Sequence, residues 1–151
     1  MPAGMTSMRV LIATAEQAVY RGKASMLIVP SVEGELAVLP GHAPLLALLR
    51  PGEVRIDCPA GDAGMCHTVD IVVLGGFLEV QPDAVIILAD AIARAEDIDA
   101  AQAAKAVEQA KQLLKSPDKE IAVQAMLDLE LAMAKLQVAR KNSKRPLRPS
   151  F

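Results

Sequence analysis

Residues 33–46 read EGELAVLPGHAPLL, and residues 75–90 read GGFLEVQPDAVIILAD. In the first stretch, Glu33-Gly34-Glu35 and Leu39-Pro40-Gly41-His42 are two turns separated by a single short apolar strand. Glycine supplies positive φ at such turns, and proline presets φ near about −65° while withdrawing a backbone donor. In the second stretch, Gly75-Gly76 and Gln81-Pro82-Asp83 bound the strands Phe77–Gln81 and Ala84–Ala89. This chemistry builds a rigid β scaffold that presents surfaces, and it places no group for catalysis.

Working outward, the first ninety or so residues carry breakers at intervals: Arg21-Gly22, Val32 to Gly34, Pro40-Gly41, Pro51-Gly52, Pro59 to Gly64, Gly75-Gly76 and Gln81 to Asp83. Between them lie further candidate strands at Arg9–Thr14, Ser25–Pro30, Glu35–Leu39, Leu45–Leu49, Glu53–Cys58 and His67–Leu74. Glu53 to Asp57 alternates polar and apolar, as a half-buried strand does, whereas the run Val85-Ile86-Ile87-Leu88 predicts burial on both faces. Turn signals at this spacing predict a β-sandwich or flattened barrel, and we read a sandwich over residues 8–96.

The texture changes at Asp97-Ile98-Asp99. Asp97 or Asp99 suits an N-cap, and the Ala-rich chain beyond has helical spacing at Ala103, Ala106, Ala110 and Leu113 or Leu114. Ser116-Pro117 interrupts it, with Pro117 placed to open a second helix from about Asp118 to Asn142. There Ala122, Met126, Leu129, Met133 and Leu136 follow a 4-3-4-3 pattern, which predicts the seam of a paired helix. Residues 97–142 therefore read as an antiparallel two-helix hairpin. Its first helix offers mostly Ala to the seam, so the pair opens at modest cost, or else stays permanently closed. Residues 1–7 are expected to be a disordered extension and 143–151 a basic tail.

With 151 residues and a hydrophobic content of 52%, the chain has ample material for a core, but aromatics make up only 2% and Trp is absent. Base-stacking platforms are therefore missing, and nucleic acid is not an expected partner. The net charge of −2 conceals an asymmetry. Residues 1–96 hold six Lys/Arg against eleven Asp/Glu, whereas 97–151 hold ten against seven. The cationic end suits a solvated helix terminus or contact with an acidic partner surface. Two cysteines, Cys58 and Cys66, are no disulfide framework, which favours a reduced, cytoplasmic setting. No secretory leader and no membrane-spanning run is read in the sequence.

Candidate chemistry is sparse. His42 has no Cys or Ser motif around it and suits a turn or an interface. Cys66-His67, near Cys58, Asp57 and Asp70, matches no zinc spacing, and no third group orients it as a nucleophile pair. Gly75-Gly76 opens no phosphate loop. Glu33 and Glu35, two apart, would point the same way in extended chain and form an acidic surface patch. Neither a metal nor a cofactor is expected.

The motifs EGEL, LPGHAPLL, PGEVRI, GGFLEV and ILAD, followed by a helical hairpin, resemble the epsilon subunit of the F-type ATP synthase over residues 8 to about 141. The resemblance implies an N-terminal sandwich of about ten strands and a C-terminal two-helix domain. It implies a non-catalytic rotor subunit of the central stalk, bound to the gamma subunit and resting on the c-subunit ring. Its helices would fold on the sandwich or extend into the alpha–beta hexamer to inhibit ATP hydrolysis. Glu33 and Glu35 would face the c ring and His42 would face gamma. Lys135, Arg140 and Lys141 would meet acidic beta loops. The location implied is the cytoplasmic face of the bacterial inner membrane, held there only through the complex.

One departure concerns ATP, which some family members bind at the hairpin through I/L-D-x-x-R-A. Here Ile98, Asp99 and Ala103 match, but Gln102 replaces the arginine and cannot supply a cationic fork. The second helix adds only Lys135, with Leu131 one turn earlier. Two other readings remain beside the resemblance: a free-standing adaptor with a coiled-coil arm, and a small enzyme using Cys66 and His67.

Overall fold

The computed structural model describes residues 6–59, 67–94 and 98–144. The chain divides into two compact units at the Ile92–Ala93 junction. The first contains β1 (Met8–Ala13), β2 (Ala18–Ala24), β3 (Met26–Ser31), β4 (Gly34–Val38), β5 (Leu45–Asp57), β6 (Thr68–Gln81) and β7 (Ala84–Ala89). They are ordered β2-β1-β7-β6-β5-β3-β4, and the short β8 (Ile92–Arg94) pairs with β6 off this path. Every pairing along the path is antiparallel except β1 with β7, where Arg9 lies beside Ala84 in a parallel register.

Among the described residues eight strands stand where about ten were expected, for a specific reason. Leu45–Leu49 and Glu53–Cys58 were read as two strands, as were His67–Leu74 and Phe77–Gln81, but each pair is one long strand that bends. The bends fall at Pro51-Gly52 and at Gly75-Gly76, where φ is +85° and +130°. Counting the halves of β5 and β6 separately recovers ten. One half of each lies with β1, β2 and β7, the other with β3 and β4, so the two strands run through both layers of the sandwich.

Alternation fills the space between the layers. Met8, Val10 and Ile12 of β1 are buried while Arg9 is exposed. Ile12, Val29, Ile56, Leu78 and Ile87 are all 0% exposed and belong to one continuous core. Each such side chain contributes roughly 1.5–3 kcal/mol by leaving water. Pro30, which has no N–H to donate, sits where the β3–β5 register slips. The expectation of two-sided burial for Val85 to Leu88 is corrected: Val85 and Ile87 point into the core, and Leu88 stands outside it.

Sequence reading missed β2 because Arg21-Gly22 looked like a breaker. Within β2, Gly22 instead makes room for the ring and hydroxyl of Tyr20, which a Cβ would strike. Tyr20 packs against the core with its hydroxyl 3.7 Å from the buried Cys58 Sγ. Burial, with the Cys58 contact second, pushes the phenol up to about 12.

The second unit is a helical hairpin of α1 (Ala100–Leu113) and α2 (Lys119–Lys144). Asp99 caps α1, its Oδ1 accepting from Ala101 N at 2.8 Å. Pro117 does not open α2, which begins at Lys119 behind an Asp118 cap: the Asp118 carboxylate accepts from Glu120 N at 3.0 Å, and its carbonyl from Ala122 N. The expected seam is also corrected. Met126 and Met133 are 64% and 54% exposed, whereas Ala125 and Ala132 are buried. Small side chains at a helix contact let the axes approach closely and leave longer neighbours outside.

Candidate functional site

Three surfaces could carry function, and each is built by the local geometry. The first is the set of turns around Glu33 and His42. Val32 and Glu33 form a two-residue turn between β3 and β4, closed by Ser31 Oγ donating to the Gly34 carbonyl at 2.6 Å. Gly34 takes φ +133° there, which L side chains rarely adopt. Glu33 lies in the turn and Glu35 on the strand, both exposed, so strand periodicity does not align them. His42 belongs to a different loop. Its N–H donates to the Leu39 carbonyl, its Nδ1 lies 2.7 Å from the Ala43 carbonyl, and Gly41 N donates to the Pro82 carbonyl.

The second surface is the outer face of the layer formed by β2, β1, β7 and the adjoining halves of β6 and β5. Leu48 pairs with Phe77, and Phe77 with Leu88, so the three form one transverse row. They are 51%, 59% and 54% exposed. The neighbouring row runs Leu46, Glu79, Ile86, Leu11 and Arg21, with Leu46 at 77% exposure. Lys23 opposite Arg9 adds a second cation at the β2 edge, where Arg9 is held by Asp83 at 2.9 Å. An apolar patch with a basic border is the form of a protein-docking surface. Sequence reasoning missed it, because the row is assembled from three strands. The available signal was Phe77 at an outward position of GGFLEV in a chain with only two phenylalanines.

The third surface is a groove of about 450 Å³ inside the hairpin. It brings together Ile98, Asp99, Gln102 and Ala103 with Leu131 and Lys135, all singled out by the sequence. It adds two polar residues the sequence did not signal, Gln109 and Asp128. Asp128 Oδ1 accepts from Gln124 Nε2 at 3.1 Å. With Asp99 and Asp128 against Lys135, the lining carries a formal charge of −1 and two neutral amides. Such donors do not fit a triphosphate, which calls for several cations or clustered N–H groups.

Arg140 is exposed on α2, while the side chain of Lys141 lies outside the described residues. Cys66 also lies outside them, whereas His67 is exposed and gives its carbonyl to Cys58 N. Among the described residues no cluster of His, Cys, Asp or Glu is arranged to hold a metal, and no helix is long and apolar enough to cross a membrane.

Residues 7–95 match the family model of the ATP synthase delta/epsilon chain, beta-sandwich domain. The ATP synthase epsilon chain of Alkalilimnicola ehrlichii is 42% identical over 147 residues, covering 95% of this chain and all of that one. This chain belongs to the ATP synthase epsilon family. Its relative in Halorhodospira halophila is 43% identical over 145 residues, covering 93% of this chain and 100% of that one. Among solved structures, this epsilon-family chain resembles one in the Euglena gracilis mitochondrial ATP synthase, resolved with OSCP, F1 and c-ring. That match has a TM-score of 0.77 at 22% identity, over 93% of this chain and 82% of that one. A chain of the Tetrahymena thermophila mitochondrial ATP synthase central stalk and c-ring gives 0.61 at 16% identity, over 91% and 96%. At these identities the structures establish the shared fold.

Proposed function

We propose that this epsilon-family chain is a non-catalytic rotor subunit of the central stalk, fixed to gamma through the outer face of its sandwich. The observation that carries the reading is the exposed row Leu48–Phe77–Leu88. Three large apolar side chains in one row stay in water only at a cost, and a partner surface removes that cost. The basic border at Arg21 and Lys23 sets the orientation by charge.

In this reading the Glu33 and Glu35 carboxylates face polar loops of the c-subunit ring, and His42 lies toward gamma. The sandwich passes torque between them and couples proton flow to ATP synthesis. The hairpin acts as a conditional brake: extended into the alpha–beta hexamer, it brings the basic end of α2, with Lys135, Arg140 and Lys141, to acidic beta loops. The groove lining favours a brake that does not respond to nucleotide, since Gln102 and Leu131 offer no phosphate donors with a full charge. The subunit lies at the cytoplasmic face of the bacterial inner membrane, held through the complex alone.

The deciding experiment measures ATP hydrolysis by a catalytic core purified without its own epsilon subunit, with gamma binding followed in parallel. The full chain is compared with a version ending at Glu96. Binding by both with suppression by the full chain alone supports the anchor-and-brake reading. Binding without suppression removes the brake, and failure of both to bind refutes the docking face.

A further inference from the structure

We infer that Glu79 is the specificity point of the sandwich's outer face, and that the partner docking there sets an arginine or lysine side chain over its carboxylate. The inference rests on the gamma-docking reading above and names what gamma must bring to that face.

Phe77, Glu79 and Gln81 all stand on the exposed side of β6. Phe77 precedes Glu79 by two residues, about 7 Å along the strand. Across the sheet, Glu79 lies between Leu46 of β5 and Ile86 of β7, and Leu46 is 77% exposed. Apolar side chains therefore border the carboxylate on three sides, and Gln81 stands on the fourth. Gln81 Nε2 donates to Glu79 Oε1 at 3.3 Å. Among the described residues no cation forms an ion pair with Glu79.

A partner that covers Leu46 and Phe77 takes water away from Glu79 as well. A carboxylate removed from water with one neutral amide beside it is strongly unfavourable, and a cation from the partner offsets that loss. The same row continues from Ile86 through Leu11 to Arg21. Three strand spacings separate Glu79 from Arg21, roughly 14 Å at about 4.8 Å each. The face thus carries one negative and one positive point in a single row, with Ile86 and Leu11 between them. Arg9, in the next row, is already held by Asp83 at 2.9 Å. A partner with the complementary pair of charges fits in one orientation, and turned about in the plane it sets like charges together.

The test measures calorimetric binding of the full-length chain to the epsilon-free catalytic core that retains gamma. Glu79→Gln and Glu79→Leu are each expected to weaken binding at least about tenfold, with the urea midpoint unchanged. Leucine is the sharper variant, because it enlarges the apolar face. A face that needs no charge at this point binds Glu79→Leu as tightly as wild type or more tightly, which overturns the inference. Each lysine and arginine of gamma is then replaced by alanine. One of them should cost at least about tenfold against the wild-type chain and less than about twofold against Glu79→Gln. Additive losses at every position also overturn the inference. Phe77→Ser separates this result from the reading beneath it. Full affinity in that variant refutes the docking face itself, whereas a weakened Phe77→Ser beside a tolerated Glu79→Leu leaves the face standing and removes only the role of Glu79.

Discussion

Phe77 on β6 stands directly across from Leu48 on β5, and both side chains are more than half exposed. Neither belongs to the buried core, whereas the residues next to them on these strands, Leu78 and Leu49, do. Replacing Phe77 with Ser should therefore leave folding stability within about 0.5 kcal/mol while weakening gamma binding by roughly 30-fold. Paired urea unfolding and calorimetric binding measurements check this. An unchanged affinity would move the docking face elsewhere.

Gly76 precedes Phe77 at the bend of β6, and a Cβ there would strike the Leu88 carbonyl. Its φ of +130° is also one that L side chains rarely adopt. Gly76→Ala should destabilise the sandwich by about 3 kcal/mol through combined collision and backbone strain. The measurement is the urea midpoint of the full chain.

Tyr20 is the single tyrosine of the chain, so its ionisation can be followed directly by phenolate absorbance. Its pKa is raised in the folded state, from 10.0 to about 12. The folded protein then binds the proton more tightly than the unfolded chain, so the stabilisation is complete below about pH 10 and lost as pH rises toward about 12. Stability should fall over that window, and Tyr20→Phe should flatten this part of the pH profile. A phenol titrating at its ordinary value would refute the shift.

The Asp99 carboxylate holds the first turn of α1 through Ala101 N. Asp99→Ala should cost the hairpin about 1 kcal/mol. Amide hydrogen exchange should quicken across α1 and remain unchanged in β5 and β6. Faster exchange across the sandwich would show that the cap supports more than its own helix.

ATP added to the wild-type chain should give no calorimetric signal, because the groove presents one ammonium against two carboxylates. Installing arginines as Gln102→Arg/Leu131→Arg should create measurable binding, since two guanidinium forks then line one groove. Tight binding by the wild type would overturn this account of the lining.

Much of the fold was legible because turns announce themselves. Glu33-Gly34 and Gly75-Gly76 marked reversals and bends through residues that tolerate positive φ. The capping aspartate at Asp99 marked the helix start equally well. Less legible was whether a glycine signals an end or a close approach, as with Gly22 under Tyr20. The α2 seam misled because hydrophobic spacing gives weight to Met126 and Met133, whereas close helix packing selects Ala125 and Ala132. The groove residues could be listed from sequence as Ile98, Asp99, Gln102, Ala103, Leu131 and Lys135, but Asp128 and Gln109 join them only through helix pairing. The Leu48–Phe77–Leu88 row was invisible for the same reason: it exists across strands, and no period along one strand encodes it.

The parallel seat of β1 beside β7 has a consequence for the order of assembly. Arg9 finds its neighbour, Ala84, near the far end of the sandwich sequence. A ribosome therefore exposes the first strand long before its permanent neighbour exists, and only the β2 hairpin is available to shelter it meanwhile. Met8, Val10 and Ile12 must wait in that nascent hairpin with their core-facing side uncovered. Closure is thus a late event with high contact order, and the emerging chain has most need of a chaperone during that interval.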